Sequence, residues 1–436
     1  MSGKKVLQID NRDYYGGESA SLNLTQIFEK FKKTKPEDDS LGSDYQYCVD
    51  QVPKFLMATG NLIKILIHTK VTHYVNFNVI GGSYVFRGST QKPCKVPATA
   101  SDALRSSLMG LFQKRRLRNF LVFVKDCKLD DPTLLTQTAS ELMVEYKLDE
   151  NTQSFIGHAM ALFSDESYLQ GPAKELVKRL HLYAYSLNRC GKSPYIYPMY
   201  GLGSISEGFA RLSAVYGESK GGALMMDQKM PEILFDDEGK AIGVKSGEKA
   251  GSAPFVMGQP RFFPKDKTRV VARVARAICL MDHPIPNTDT QSGMVIIPAD
   301  QVAKGAAATM FSAAKTKYKA RKNDIYVTCV DGTSFEVTAP AKYVAFVSTV
   351  MESDNPDTEL RPGLDLLGKI LHKFVTVDDV YAPTNNSSKD MCHISRGLDA
   401  STHFQTVSED VLKLYRDIVG EDLDMSIDAD GVLEEE

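Results

Sequence analysis

The chain lacks any Cys-x-x-Cys pair. Its seven cysteines stand apart at 48, 94, 127, 190, 279, 329 and 392. That odd, scattered set offers neither a disulfide framework nor a thiolate metal site, and it fits a reducing compartment. Long apolar runs are missing too. No window approaches the roughly 20 residues that a membrane-spanning helix needs. The start, Met1-Ser2-Gly3-Lys4-Lys5-Val6, has no signal-peptide core, and the end has no prenylation box. Any lipid this protein handles is therefore expected to belong to another molecule.

An excess of positive charge is also absent. The net charge of −3 argues against a nucleic-acid binder that works by neutralising phosphates. The run Lys114-Arg115-Arg116-Leu117-Arg118 reads as a solvated helix face. The eight histidines form no His-Glu-x-x-His pair, Cys392-His393 is too isolated to ligate a metal, and no P-loop occurs. Asp428-Ala429-Asp430-Gly431 opens like a calcium loop, but the sequence stops before the position of the bidentate Glu. No metal, cofactor or catalytic machinery is expected.

What is present is ordinary globular material, 43% hydrophobic and 25% charged over 436 residues, which suggests two domains. Lys4–Asp10 reads as a buried strand with Val6, Leu7 and Ile9, followed by a turn at Tyr14-Tyr15-Gly16-Gly17. Leu24, Ile27, Phe28 and Phe31 recur at helical spacing. Pro53 opens a predicted helix through Phe55, Leu56, Leu62, Ile65 and Leu66, with Gly60 as a break point. Tyr74–Arg87 alternates around Gly81-Gly82 as a hairpin would. Ser101 caps a predicted helix carrying Leu104, Leu108, Leu111 and Phe112. Further helices are predicted over 134–146, 151–163, 173–189 and 206–216. Strands are predicted at Ala241–Lys245, Ala277–Met281, Met294–Pro298, Asp324–Val330 and Tyr343–Val350, with helices near 363–373 and 409–419. Ala303–Arg321 is an insertion rich in Ala and Lys. Strands on both sides of a helical block indicate one α/β domain interrupted by a small α domain. The expected division is 1–96 and 193–420 for the large domain, 97–192 for the helical insert and 421–436 for an acidic tail.

Three features invite a functional reading. Asp10 ends a strand as the ribose-binding acid of a dinucleotide unit does, but the preceding strand and G-x-G-x-x-G cradle are not there. Gly201, Gly203 and Gly208 precede a helix and serve equally well as a tight turn or a ligand turn. Ser193-Pro194-Tyr195-Ile196-Tyr197-Pro198 alternates proline with tyrosine. It reads either as an exposed aromatic docking segment or as a linker packed on the core.

Several stretches resemble one family. Gly3-Lys4-Lys5-Val6-Leu7 through Asn11-Arg12-Asp13-Tyr14-Tyr15-Gly16-Gly17-Glu18-Ser19 is similar to the first characteristic region of the Rab GDP dissociation inhibitors. Pro53-Lys54-Phe55-Leu56-Met57-Ala58, Leu108 to Arg116 and Thr402-His403-Phe404 agree as well. The nearest correspondence is Tyr195 to Gly203 followed by Gly208 to Gly217. The resemblance runs in order across nearly the whole chain.

That resemblance implies a large α/β domain like that of FAD-dependent oxidases (Rossmann-like), with a small helical domain inserted into it and no cofactor. It implies a platform that grips GDP-bound Rab GTPases, a groove for their C-terminal tail, and a pocket for their geranylgeranyl chains. The carried-over positions are Tyr15, Arg211 and Met225 for the GTPase-binding platform. Ser193 to Pro198 match a mobile loop that engages a membrane or its receptor. Leu108, Met109 and Phe112, with Phe155, Ala159 and Leu162, are nominated for the prenyl pocket. Such a protein is expected in the cytoplasm, with transient contact to membranes and no nucleic acid among its partners. The alternatives are an FAD-dependent oxidoreductase on the same scaffold and a Rab escort protein.

Against the family pattern, the first strand and its glycine loop are missing, so the chain is expected to be shortened at its N-terminus. Ser204 replaces a platform Glu and Ala223 a Thr. Ser43 and Tyr45 stand at two arginine positions, and Glu218-Ser219-Lys220-Gly221 is extra.

Overall fold

The computed structural model describes residues 4–36, 39–98, 109–218, 223–228, 230–304 and 320–426. Strand β1 (Leu7–Ile9) leads through a turn to helix α1 (Leu24–Lys32). Asn23 and Gln26 form a reciprocal capping box there, and Leu24, Ile27 and Phe28 fall on one buried face. Next come β2 (Leu56–Met57), α2 (Asn61–Thr69), β3 (Phe77–Val79), β4 (Gly82–Arg87) and β5 (Lys92–Lys95). The helical block contains α3 (Leu111–Asp126), α4 (Ala139–Glu145), α5 (Glu150–Ser154) with a π-helical turn at Phe155–Met160, and α6 (Ala173–Cys190). The chain then returns through β6 (Tyr195–Pro198), α7 (Gly203–Glu218), β7 (Ala223–Met225), β8 (Thr268–Met281), β9 (Gly293–Ile297), β10 (Ile325–Asp331) and β11 (Tyr343–Val350). It finishes with α8 (Pro356–Leu367), β12 (His372–Pro383) and α9 (Gln405–Val419).

Seven strands form the main sheet in the order β12-β8-β11-β10-β9-β4-β5. The β9–β4 pair is parallel and the other pairs are antiparallel. Strands β10 and β11 are covered on both faces, which is why they read as nearly unbroken apolar runs. One face packs Val295, Val327 and Val347 against Leu360 of α8. The other joins Met294, Tyr326 and Phe346 to Phe120, Leu142 and Leu180 of the helical block. One continuous core therefore anchors the inserted helices to the sheet. The α/β class with a helical insertion holds.

Several elements differ from the sequence expectations. Val6 and Leu7 are exposed rather than buried, because β1 pairs only with β7 among the described residues. The Pro53 segment is not a helix: Leu56 and Met57 pair with Ile196 and Tyr195, and α2 starts only after Gly60. Tyr74–Arg87 is not a hairpin. Strand β3 joins β6, while β4 pairs with β9 and turns back into β5. The helix expected at 363–373 lies at Pro356–Leu367, where Asn355 caps it and Pro356 opens it, and His372–Pro383 is an edge strand. The predicted cap at Ser101, Leu104 and Leu108, and most of Ala303–Arg321, lie outside the described residues, as does the end of the acidic tail.

Candidate functional site

Strands β1 and β7 run parallel with Ile9 opposite Met225. Asp10 N–H donates to Met225 O at 2.9 Å and Asp227 N–H to Arg12 O at 2.8 Å, extending the ladder. Arg12 then fixes the turn. Its guanidinium donates to Gly17 O at 2.7 Å and to Tyr14 Oη at 3.0 Å. Half-buried Tyr15 leaves this turn at the same end of the strand pair as half-buried Met225. Helix α7 packs on β7 and carries Arg211 on its exposed side, the guanidinium 4.9 Å from the Tyr74 ring centre. That cation–π contact holds the charge in place. The strand pair that leads into the Tyr15 turn and bears Met225, and the helix that bears Arg211, thus adjoin. Tyr74 was missed, since no spacing links it to Arg211. Asp10 keeps the plainer role, its carboxylate accepting from Arg12 N–H at 3.1 Å to cap the turn.

Beneath the start of α7 lies a second missed residue, Asp50, whose side chain is buried. It accepts from Ser21 Oγ at 2.6 Å, from Leu202 N–H at 3.0 Å and from Tyr197 Oη. Burial raises its pKa to about 6 against the pull of those hydrogen bonds. A carboxylate at a helix N-terminus meets unpaired N–H groups and the positive end of the dipole. This decides the glycine turn. Gly201 has φ +79°, and a Cβ there would lie 2.7 Å from Ser21 Oγ and 2.9 Å from Asp50 Oδ1. The turn is closed around an acidic side chain and does not fit a flavin or nicotinamide pyrophosphate.

Ser193 to Pro198, expected to form a mobile loop, lie in a buried segment. Tyr195, Ile196 and Tyr197 are each buried in β6, the middle strand between β2 and β3, and Phe55 packs edge-on against Tyr197 at 5.4 Å. Alternation of proline and tyrosine reports a buried strand here.

A cleft of about 660 Å³ opens between α2, α6, the segment after the π-turn and the start of α9. Met57, Leu129, Met160, Leu162, Leu182 and Tyr185 form its apolar side. His403 forms part of the floor. Burial, with Lys54 nearby, lowers its pKa to about 4, so it is neutral at neutral pH. Leu162 adopts φ +58°, a strained backbone for a branched side chain and one that recurs at ligand clamps. Of the nominated pocket residues, only Leu162 lines the cleft. Phe155 and Ala159 belong to the packed core, and Met109 is half-buried against it. Phe112 lies away from the cleft, 83% exposed at the first turn of α3. Leu108 lies outside the described residues.

The π-turn that precedes Leu162 is held by His158, also missed by sequence reasoning. Its Nδ1–H donates to Asp324 Oδ2 at 2.6 Å and its Nε2–H to Glu166 Oε1 at 3.0 Å. Tyr168 stands across the turn so closely that a Cβ on Gly157 would lie 2.1 Å from its hydroxyl. A histidine inside the apolar run Phe155-Ile156-Gly157-His158-Ala159-Met160 was the available signal. Among the described residues, no group of three or more His, Cys, Asp or Glu side chains is arranged to hold a metal.

A family model described as GDP dissociation inhibitor matches residues 1–429. Guanosine nucleotide diphosphate dissociation inhibitor 2 of Arabidopsis thaliana is 46% identical over 437 residues, covering 98% of this chain and 93% of that one. The crystal structure of a Rab GDI from Plasmodium falciparum superposes with a TM-score of 0.87 at 35% identity, over 97% of this chain and 94% of that one. An oxidoreductase from Methanosarcina mazei, at 14% identity and a TM-score of 0.58 over 95% of each chain, shares the fold alone.

Proposed function

The chain belongs to the GDP dissociation inhibitor family, and we propose that it binds prenylated Rab GTPases in their GDP state, slows nucleotide release and carries them between membranes through the cytoplasm. The cleft is the observation that carries this reading. Its volume falls within the roughly 300–1,000 Å³ of small-molecule sites, and its apolar wall suits a geranylgeranyl chain. Each CH₂ transferred from water is worth about 0.8 kcal/mol, so a prenylated tail leaves a bilayer only for a comparable apolar site. Tyr15, Arg211 and Met225 supply the mixed polar and apolar contacts that suit a GTPase surface. Catalysis plays no part in this role. Among the described residues no helix is long and apolar enough to cross a membrane, and contact with the bilayer is transient.

The test is extraction of prenylated Rab from membranes, loaded with GDP or GTP, scored in the supernatant. Selective release of the GDP form is expected; release of neither form by folded protein would overturn the proposal. Arg211→Ala is expected to cut extraction about tenfold, the loss of roughly 1.4 kcal/mol at an interface, while leaving the unfolding midpoint in place because the side chain is exposed. Leu182→Glu, in the cleft wall, is expected to weaken capture of prenylated Rab at least about tenfold. It leaves binding of the unprenylated GTPase intact, and equal losses for both forms would move the lipid site elsewhere.

A further inference from the structure

Helix α3 faces two ways. Phe120 and Val124 are committed to the core. Positions 111, 115, 118, 122 and 125 follow the helical repeat and share the opposite stripe. It reads Leu111, Arg115, Arg118, Val122 and Lys125, all exposed, with Phe112 beside Leu111 on the first turn. Leu111 is 78% exposed and Phe112 83%. Two large apolar side chains in water at a helix start call for a partner.

The charges say which kind. Helix α3 carries five cations, Lys114, Arg115, Arg116, Arg118 and Lys125, and one carboxylate, Asp126. The whole chain has a net charge of −3. A basic stripe on an acidic protein seeks an anionic partner. Apolar residues set among the cations seek one with an apolar layer directly beneath its charge. A bilayer containing anionic phospholipid has that layering.

We infer that the outer face of α3 docks on anionic membrane, with Leu111 and Phe112 entering the boundary between headgroups and acyl chains and Arg115 and Arg118 meeting lipid phosphates. The helix lies in the plane of the surface and does not cross it. This contact is separate from GTPase capture and from the cleft, and it needs neither.

The full chain, without any GTPase, is floated on a density gradient with vesicles of phosphatidylcholine alone or of phosphatidylcholine with phosphatidylserine. Flotation with the anionic vesicles, weakening as salt is raised, is expected. Leu111→Ser with Phe112→Ser is expected to lower the partition coefficient at least about tenfold. Arg115→Gln with Arg118→Gln is expected to lower it about fivefold per charge removed and to flatten its salt dependence. Arg116 is left alone because it donates to Lys147 O. Unchanged unfolding midpoints verify that both variants fold. The inference is overturned by equal flotation on neutral and anionic vesicles, by none on either, or by unaltered flotation of both variants, which would assign the stripe to a protein partner. Because no GTPase is present, failure here leaves the extraction assay to decide the proposed function separately.

Discussion

His158→Ala is expected to lower the unfolding free energy by about 3–5 kcal/mol at neutral pH, the range for removing one partner from a buried ion pair. The imidazole is 1% exposed and the Asp324 carboxylate is fully buried. Their contact ties the helical block to the residue just before β10, and Asp324 Oδ1 also accepts from Ala299 N–H at 2.9 Å. Removing the ring leaves two carboxylates facing a void with no cation between them. Glu166→Gln is expected to cost less than about 1 kcal/mol, since Glu166 is 47% exposed and solvated. Burial pulls the His158 pKa down, but hydrogen bonds to Asp324 and Glu166 carry it up to about 10. A raised folded pKa means stability that is complete below the unfolded value of about 6.5 and lost as pH climbs through about 10. The parent is therefore expected to weaken across that window in urea titrations, and His158→Ala to show a flatter profile. A loss below about 1 kcal/mol, or identical slopes for parent and variant, would show that the pair does not carry the junction.

What could be read in advance follows from how local each cause is. Strand β11 was foreseen with its observed ends because burial on both faces leaves an unbroken apolar run, Tyr343–Val350. Helix α1 was foreseen because Leu24, Ile27 and Phe28 line one face. Strand β2 was not, because Leu56 and Met57 are made into a strand by Ile196 and Tyr195 from the far side of the helical block. Strand β12 escaped notice since an edge strand bearing Asp378, Asp379 and Lys373 carries no clear alternation. The site divides in the same way. Tyr15, Arg211 and Met225 came from resemblance, and the structure adds only that they lie on adjoining elements. Tyr74, Asp50 and His158 work through partners distant in sequence, so no spacing rule reaches them. Phe112 shows the converse: helical periodicity registers an apolar residue but does not say whether its face meets the core or water, and this one is exposed.

Asp50→Ala is expected to be most damaging in acid and less so at neutral pH, opposite to the usual behaviour of a salt-bridged carboxylate. Truncation orphans the Ser21 and Tyr197 hydroxyls and the Leu202 N–H, each costing about 1–3 kcal/mol if water does not replace the acid. In the parent, burial raises the Asp50 pKa from 3.8 to about 6. Stability from this group is thus complete below about 3.8 and lost as pH rises through about 6, a swing of roughly 3 kcal/mol at about 1.4 kcal/mol per pH unit. The variant lacks that swing. The gap between parent and Asp50→Ala is expected to narrow by up to about 3 kcal/mol between pH of about 4 and about 7. Taking the difference cancels the other titrating groups, His403 included. Asp50→Asn keeps the shape and one acceptor, loses the slope, and falls between the two in stability. Urea unfolding across this range tests all three, and a pH-independent gap would place the titration elsewhere. The consequence reaches the surface, because the N-terminus held by Asp50 belongs to the helix that displays Arg211. If that helix shifts when its acidic anchor is removed, Asp50→Ala weakens Rab–GDP binding even where the protein remains folded. On the proposed role of Arg211, Arg211→Ala is expected to weaken the same binding with no stability change, so the pair of variants tests the support of that surface separately from its contact.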